Sequence, residues 1–156
     1  MRKQLEDSMS TAATADAWAQ LSLLASAVDS ELDRWLGDAF RVSATELRAL
    51  ELLSRASDKE LRVNELAQRI GLNASSVTRL VNRLEAKGLA RRDLCADDGR
   101  GVYAVIDEAG ERLLADARPA ADAHLASVLS QLAARFPQLD AGATKRALSE
   151  VGDRIG

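Results

Sequence analysis

The run "NASSVTRLVNRLEAKGLARRD", residues 73–93, carries two patterns on one segment. Val77, Leu80, Val81 and Leu84 recur at i, i+3, i+4 and i+7, the spacing that puts apolar side chains on one face of a helix. The opposite face shows Ser75, Thr78, Arg79, Asn82, Arg83 and Ala86. Asn73 is a good N-cap for backbone donors at Ser75 or Ser76, and Gly88 is the stop. A solvated face usually alternates charge signs. Here Arg79, Arg83, Lys87, Arg91 and Arg92 are interrupted only by Glu85 before Asp93 closes the series. Such a cluster suits a polyanionic partner.

Upstream, Val63, Leu66, Ala67 and Ile70 form a short helix closed by Gly71, so a helix–"GLN"–helix pair results. Its length and glycine placement are those of a helix-turn-helix. Before the polar break "SRASDKE", Ser43 and Glu46 stand three apart as a capping box. They start a helix whose stripe is Leu47, Leu50, Leu52 and Leu53. Earlier still, Leu21, Leu24, Val28, Leu32 and Trp35 or Leu36 predict a long amphipathic helix ended by Gly37. Residues 1–15 have no clear period and read as a flexible tail, either frayed or a weak helix extension.

Downstream, "LARRDLC" and "VYAVID" flank "ADDGRG", whose Asp98-Gly99 and Gly101 supply turn chemistry, so a β-hairpin with a charged tip is expected. Asp107 can cap a further helix bearing Leu113, Leu114, Ala117, Ala121, Leu125, Val128, Leu129 and Leu132. Pro119 should kink it or mark a junction. After "RFPQLD" a last helix shows Ala143, Ala147, Leu148 and Val151.

Composition agrees with a mainly α chain. Among 156 residues, 47% are hydrophobic, 3% are aromatic and only two are proline. Net charge is −3, yet Thr78 to Gly101 holds six cations and four acids, so the rest carries −5. A basic patch on an acidic body suits a protein that meets a polyanion through one surface. The lone Cys95 cannot form an internal disulfide, which points to a reducing cytoplasm. The N-terminus "MRKQLEDS" does not read as a signal peptide. The uncharged run from Ala17 to Val28 is too short to span a bilayer.

The order of residue types on the 73–86 helix fits a recognition helix. Hydroxyls lead at the positive end of the helix dipole, where they can meet phosphates, and arginines able to read guanine follow. Arg100 at the hairpin tip can reach an adjacent minor groove, with Asp98 holding its guanidinium.

From "VSATELRALELL" through "ELAQRIGLNASSVTRLVNRLEAKGLARRD", "DDGRG" and "VIDEAGERLL", the chain resembles the MarR family of bacterial transcriptional regulators. "SSVTRLVNRLEAKGL" is the most specific portion. The resemblance implies a winged helix-turn-helix over residues 43–106, with the helical regions 16–42 and 107–156 forming a homodimer interface. It implies binding to a pseudo-palindromic operator, a repressor role, and release by a small aromatic or phenolic ligand. Carried over residue by residue, Ser75, Ser76, Thr78, Arg79 and Arg83 match the recognition-helix positions, and Arg100 matches the wing arginine. Three positions depart: Arg62 replaces a capping Thr or Ser, Gly99 replaces a wing arginine, and Asp107 replaces a Thr.

A homodimer also follows from size, since a lone chain would expose Leu21, Leu24, Val128 and Leu132. Trp18, Trp35, Phe40 and Arg48 are the candidates for an effector pocket, although for each aromatic taken singly core or interface packing is the commoner explanation. Arg91 and Arg92 alternate faces on a strand, so both cannot point to one partner. Cys95 on the wing has no neighbouring histidine to activate it and reads as inert. The single His124 does not make a zinc site. No cofactor is expected, and no nucleophile elbow, phosphate loop or carboxylate pair suggests an enzyme. Two rivals are a redox regulator switched at Cys95 and a winged-helix module that binds protein and not DNA.

Overall fold

The computed structural model describes residues 2–95 and 101–135. The turn bearing Asp98, Gly99 and Arg100, and the last helix expected at 143–151, lie outside the described residues. Five helices and three strands follow in the order α1 (Arg2–Phe40), α2 (Ala44–Arg55), β1 (Glu60–Arg62), α3 (Val63–Ile70), α4 (Ala74–Ala86), β2 (Ala90–Cys95), β3 (Gly101–Ile106) and α5 (Glu108–Arg135). The fold is mainly α with a small antiparallel sheet, as the sequence pattern indicates. Two compact units are distinguished: residues 33–123, and residues 1–32 with 124–156.

Local chemistry sets the boundaries in the 33–123 unit. Ser43 caps α2 reciprocally with Glu46: the Ser43 Oγ accepts from the Glu46 N–H, and the Glu46 carboxylate accepts from the Ser43 N–H. Gly71 closes α3 at φ +78°, a left-handed turn that costs glycine nothing. Its N–H and that of Leu72 both reach back to the Ala67 carbonyl. Gly88 ends α4 in the same region of backbone space, at φ +68°.

Several expectations differ in detail. The first helix passes Gly37 and runs to Phe40, because Gly37 is tolerated where Leu36 is fully buried. It also starts at Arg2, so of the two readings of residues 1–15 the helix extension is the one observed. Pro119 does not end α5; the ring removes one hydrogen bond, to the Ala115 carbonyl, at an exposed position where solvent can serve it. The expected hairpin gains a third strand. Strand β1 pairs antiparallel with β3 through Glu60↔Val105, Leu61↔Ala104 and Arg62↔Tyr103, giving the order β1-β3-β2.

The core of this unit joins α2, α3, α4 and the sheet. Leu50, Leu53, Leu66, Val77, Leu80 and Leu84 are fully buried, together with Ala104 and Ile106 of β3. The stripe read from the sequence for α4 is therefore the face that packs inward. Gly110 sits where α5 crosses this core. A Cβ there would lie 2.2 Å from the Leu89 carbonyl oxygen and 2.8 Å from Ile106 Cγ1. In the other unit, His124 Nε2 lies 3.8 Å from Glu31 Oε1, while Trp18 (68% exposed) and Leu21 stand out to solvent.

Candidate nucleic-acid interface

With Val77, Leu80, Val81 and Leu84 buried, α4 turns Ser75, Thr78, Arg79, Asn82 and Arg83 outward, and Ser76 is half-buried. The Asn73 carboxamide oxygen accepts from the Ser76 N–H at 2.8 Å and from the Ser75 hydroxyl at 2.9 Å. Thr78 donates its hydroxyl to the Ala74 carbonyl at 2.8 Å. Both hydroxyls rotate freely about one bond, so each can redirect its proton to an incoming phosphate oxygen.

The five cations are not equivalent. Arg91 Nη1 meets Asp107 at 2.6 Å, and Arg92 Nη2 meets Glu85 at 2.8 Å. Lys87 Nζ donates to Glu46 at 2.7 Å and to the Arg41 carbonyl at 2.8 Å. Arg83 reaches the other Glu46 oxygen through Nε at 3.3 Å. Arg79 alone among them has no carboxylate partner in the described residues. The clustering in sequence therefore has two causes. Three cations are matched by acids from elsewhere in the chain, Arg92 is matched by Glu85 within the run, and Arg79 is left to the solvent side of α4.

Glu46 is the centre of this arrangement, at 2% exposure. Burial alone would raise its pKa. The hydrogen bond from Lys87, the Ser43 N–H, the Lys87 charge and the Arg83 hydrogen bond together hold it below the usual carboxylate value. An open cleft of about 480 Å³ lies over it, lined by Asp33, Gly37, Arg41, Val42, Ser43, Glu46, Arg83 and Lys87. Arg41 closes the turn at φ +61°, and its carbonyl is the one Lys87 takes.

The residues expected for an effector fall elsewhere. Trp35 and Phe40 form an edge-to-face pair 5.7 Å apart. Arg48 is exposed on α2, and Trp18 belongs to the other compact unit. None of the four lines the cleft over Glu46.

Two features escaped sequence reasoning. Glu46 was legible as a helix cap but not as a partner for Arg83 and Lys87, which are 37 and 41 residues away. Arg62 carries no side-chain cap for α3. Its Nε donates instead to the Tyr103 hydroxyl at 3.0 Å, with the guanidinium carbon 5.7 Å from the ring centroid. The strand pairing of Arg62 with Tyr103 makes that contact, and nothing local in the sequence announces it.

A buried apolar stripe, an exposed serine–threonine–arginine face and an adjoining hairpin make a winged helix-turn-helix. The family model described as the MarR family matches residues 42–101, the span from the start of α2 to the start of β3. Over those residues this chain is similar to the MarR family. The MarR-type match extends to a curated relative, the HTH-type transcriptional regulator MhqR of Bacillus subtilis, 34% identical over 91 residues. That alignment takes in 58% of this chain and 61% of MhqR, so the chain spans about three fifths of that relative's length.

Solved MarR-family structures share the fold. Sco3205 from Streptomyces coelicolor, a MarR family transcriptional regulator solved in complex with DNA, superposes with a TM-score of 0.70 at 22% identity. That match covers 89% of this chain and 82% of Sco3205. MepR of Staphylococcus aureus, also solved with DNA, gives 0.68 at 18% identity, covering 88% of this chain and 94% of MepR. At these identities the likeness is one of fold.

Proposed function

We propose that this chain is a sequence-specific DNA-binding transcriptional regulator of MarR type. The observation that carries the reading is the solvent side of α4, where Ser75, Thr78, Arg79, Asn82 and Arg83 are all exposed while the opposite stripe is fully buried. Helix α4 enters the major groove with its N-terminus leading. Its hydroxyls meet phosphates, and Arg79 and Arg83 meet base edges. Ser76 supports the leading turn, and Arg100 and Asp98 are the wing residues assigned to the neighbouring minor groove. Winged helix-turn-helix relatives solved with DNA support this reading.

The regulator acts in the cytoplasm as a homodimeric repressor. Residues 43–106 bind DNA, and residues 16–42 with 107–156 join the two copies. Two α4 helices then sit about 34–36 Å apart on a pseudo-palindromic site. A small aromatic or phenolic ligand releases the DNA, with Trp18, Trp35, Phe40 and Arg48 as its candidate contacts. Among the described residues no helix is long and apolar enough to cross a membrane.

Selection of genomic fragments on the purified protein tests the function. An enriched inverted repeat with half-sites one helical turn apart is expected. Recovery of fragments with no shared sequence would overturn the reading. Screening phenolic compounds for release of the selected fragment tests the ligand separately.

A further inference from the structure

Glu46 is the only charged side chain that is buried among the described residues. Helix capping does not require a carboxylate, because glutamine completes a capping box equally well. A buried charge is costly unless paired and hydrogen-bonded. What calls for the charge at this position is the pair of cations from the end of α4. Glu46 Oε1 takes the Arg83 Nε at 3.3 Å, and Oε2 takes the Lys87 Nζ at 2.7 Å.

The geometry of the Arg83 contact has a consequence for recognition. A guanidinium is a rigid planar fork, so anchoring it at Nε fixes its plane. The two Nη groups form the edge that pairs with guanine O6 and N7, and the Arg83 side chain is 53% exposed. Lys87 matters in a second way. With two cations on one carboxylate, Glu46, Arg83 and Lys87 together keep a net charge of +1 beside the exposed face of α4.

We propose that Glu46 is a positioning residue for base recognition, holding Arg83 in the orientation in which its Nη edge reads a base. The proposal rests on the DNA-binding reading above. It assigns affinity and discrimination to different groups. Phosphate attraction needs only the net charge of the α4 face, whereas discrimination needs the Arg83 fork held still.

Glu46→Gln separates the two, because it keeps a capping acceptor for the Ser43 N–H and removes the charge. Binding of the wild type and the variant to the selected fragment and to unrelated duplex is measured by fluorescence anisotropy. Discrimination between the two DNAs is expected to fall about threefold to tenfold, the worth of ordering one long side chain. Affinity for unrelated duplex should hold or rise. In an Arg83→Ala background, Glu46→Gln should change discrimination no further.

Unchanged discrimination in a folded Glu46→Gln protein would overturn the proposal. So would a loss that persists in the Arg83→Ala background, since that marks Glu46 as a helix cap alone. Should Glu46→Gln melt below the assay temperature, Glu46→Asp repeats the test with the charge kept and the carboxylate withdrawn by one methylene. A wild type that does not distinguish the two DNAs at all sinks the functional reading itself, a result separate from either of these.

Discussion

Glu46 and Lys87, 41 residues apart in sequence, meet at 2.7 Å and tie the first turn of α2 to the end of α4. The same Lys87 ammonium holds the Arg41 carbonyl, so one side chain closes the α1–α2 turn against the end of α4. Lys87→Met removes this partner and leaves a buried carboxylate under-satisfied. We expect a loss of about 1–3 kcal/mol in chemical denaturation. Stability unchanged within error would show the contact to be inert.

The pH dependence follows from the same site. The folded-state pKa of Glu46 lies below its unfolded value, since its donors outweigh its burial. The contribution is therefore fully present above the unfolded pKa and is lost as pH falls through the folded one. Lys87→Met removes the strongest downward influence and raises the folded pKa. Its acid unfolding, followed by circular dichroism, should begin at higher pH than that of the wild type.

Gly110→Ala tests the packing of α5. In a free helix the change would gain up to about 1 kcal/mol in propensity. Here the added Cβ would sit 2.2 Å from the backbone oxygen of Leu89, which cannot swing away as a side-chain tip could. A net destabilisation of about 1–3 kcal/mol is expected from thermal melting. A raised melting temperature would show that α5 crosses the core more loosely.

Arg79→Ala should leave the fold intact, because no carboxylate of the described residues depends on Arg79. Affinity for the selected fragment should fall by about 1–3 kcal/mol if Arg79 is bidentate to a base. A gel-shift titration reads this directly, and a circular dichroism spectrum matching the wild type shows the loss to be local.

Leu21→Asp probes the homodimer. Trp18 and Leu21 are three residues apart on one face of α1, at 68% and 51% exposure. Sedimentation equilibrium should find a dimer for the wild type and a shift toward monomer for the variant. An unchanged mass would place the contact between copies elsewhere.

What could be read from the sequence was local. The Ser43–Glu46 capping box, the Asn73 cap, the Gly71 turn and the α4 stripe are all set by residues within one or two turns, and the structure has each of them. Strand β1 escaped notice because three residues give no period, and only β3 makes them a strand. The charge cluster at 79–92 was visible, but its reason was not. Asp107 and Glu46 reach Arg91, Arg83 and Lys87 from distant positions, so adjacency in sequence overstated how many cations stand open. Arg62 departs from the family pattern in the sequence itself, yet its hold on Tyr103 depends on the register of the sheet.

The most direct test of the DNA-binding face is a salt titration of affinity for the selected genomic fragment. With six to ten phosphates neutralised by the proposed dimer, affinity should fall by about 10³–10⁵ between 50 and 200 mM salt, on a straight line in log–log form. A flat line, with binding indifferent to salt, would mean that the exposed face of α4 does not meet a phosphate backbone.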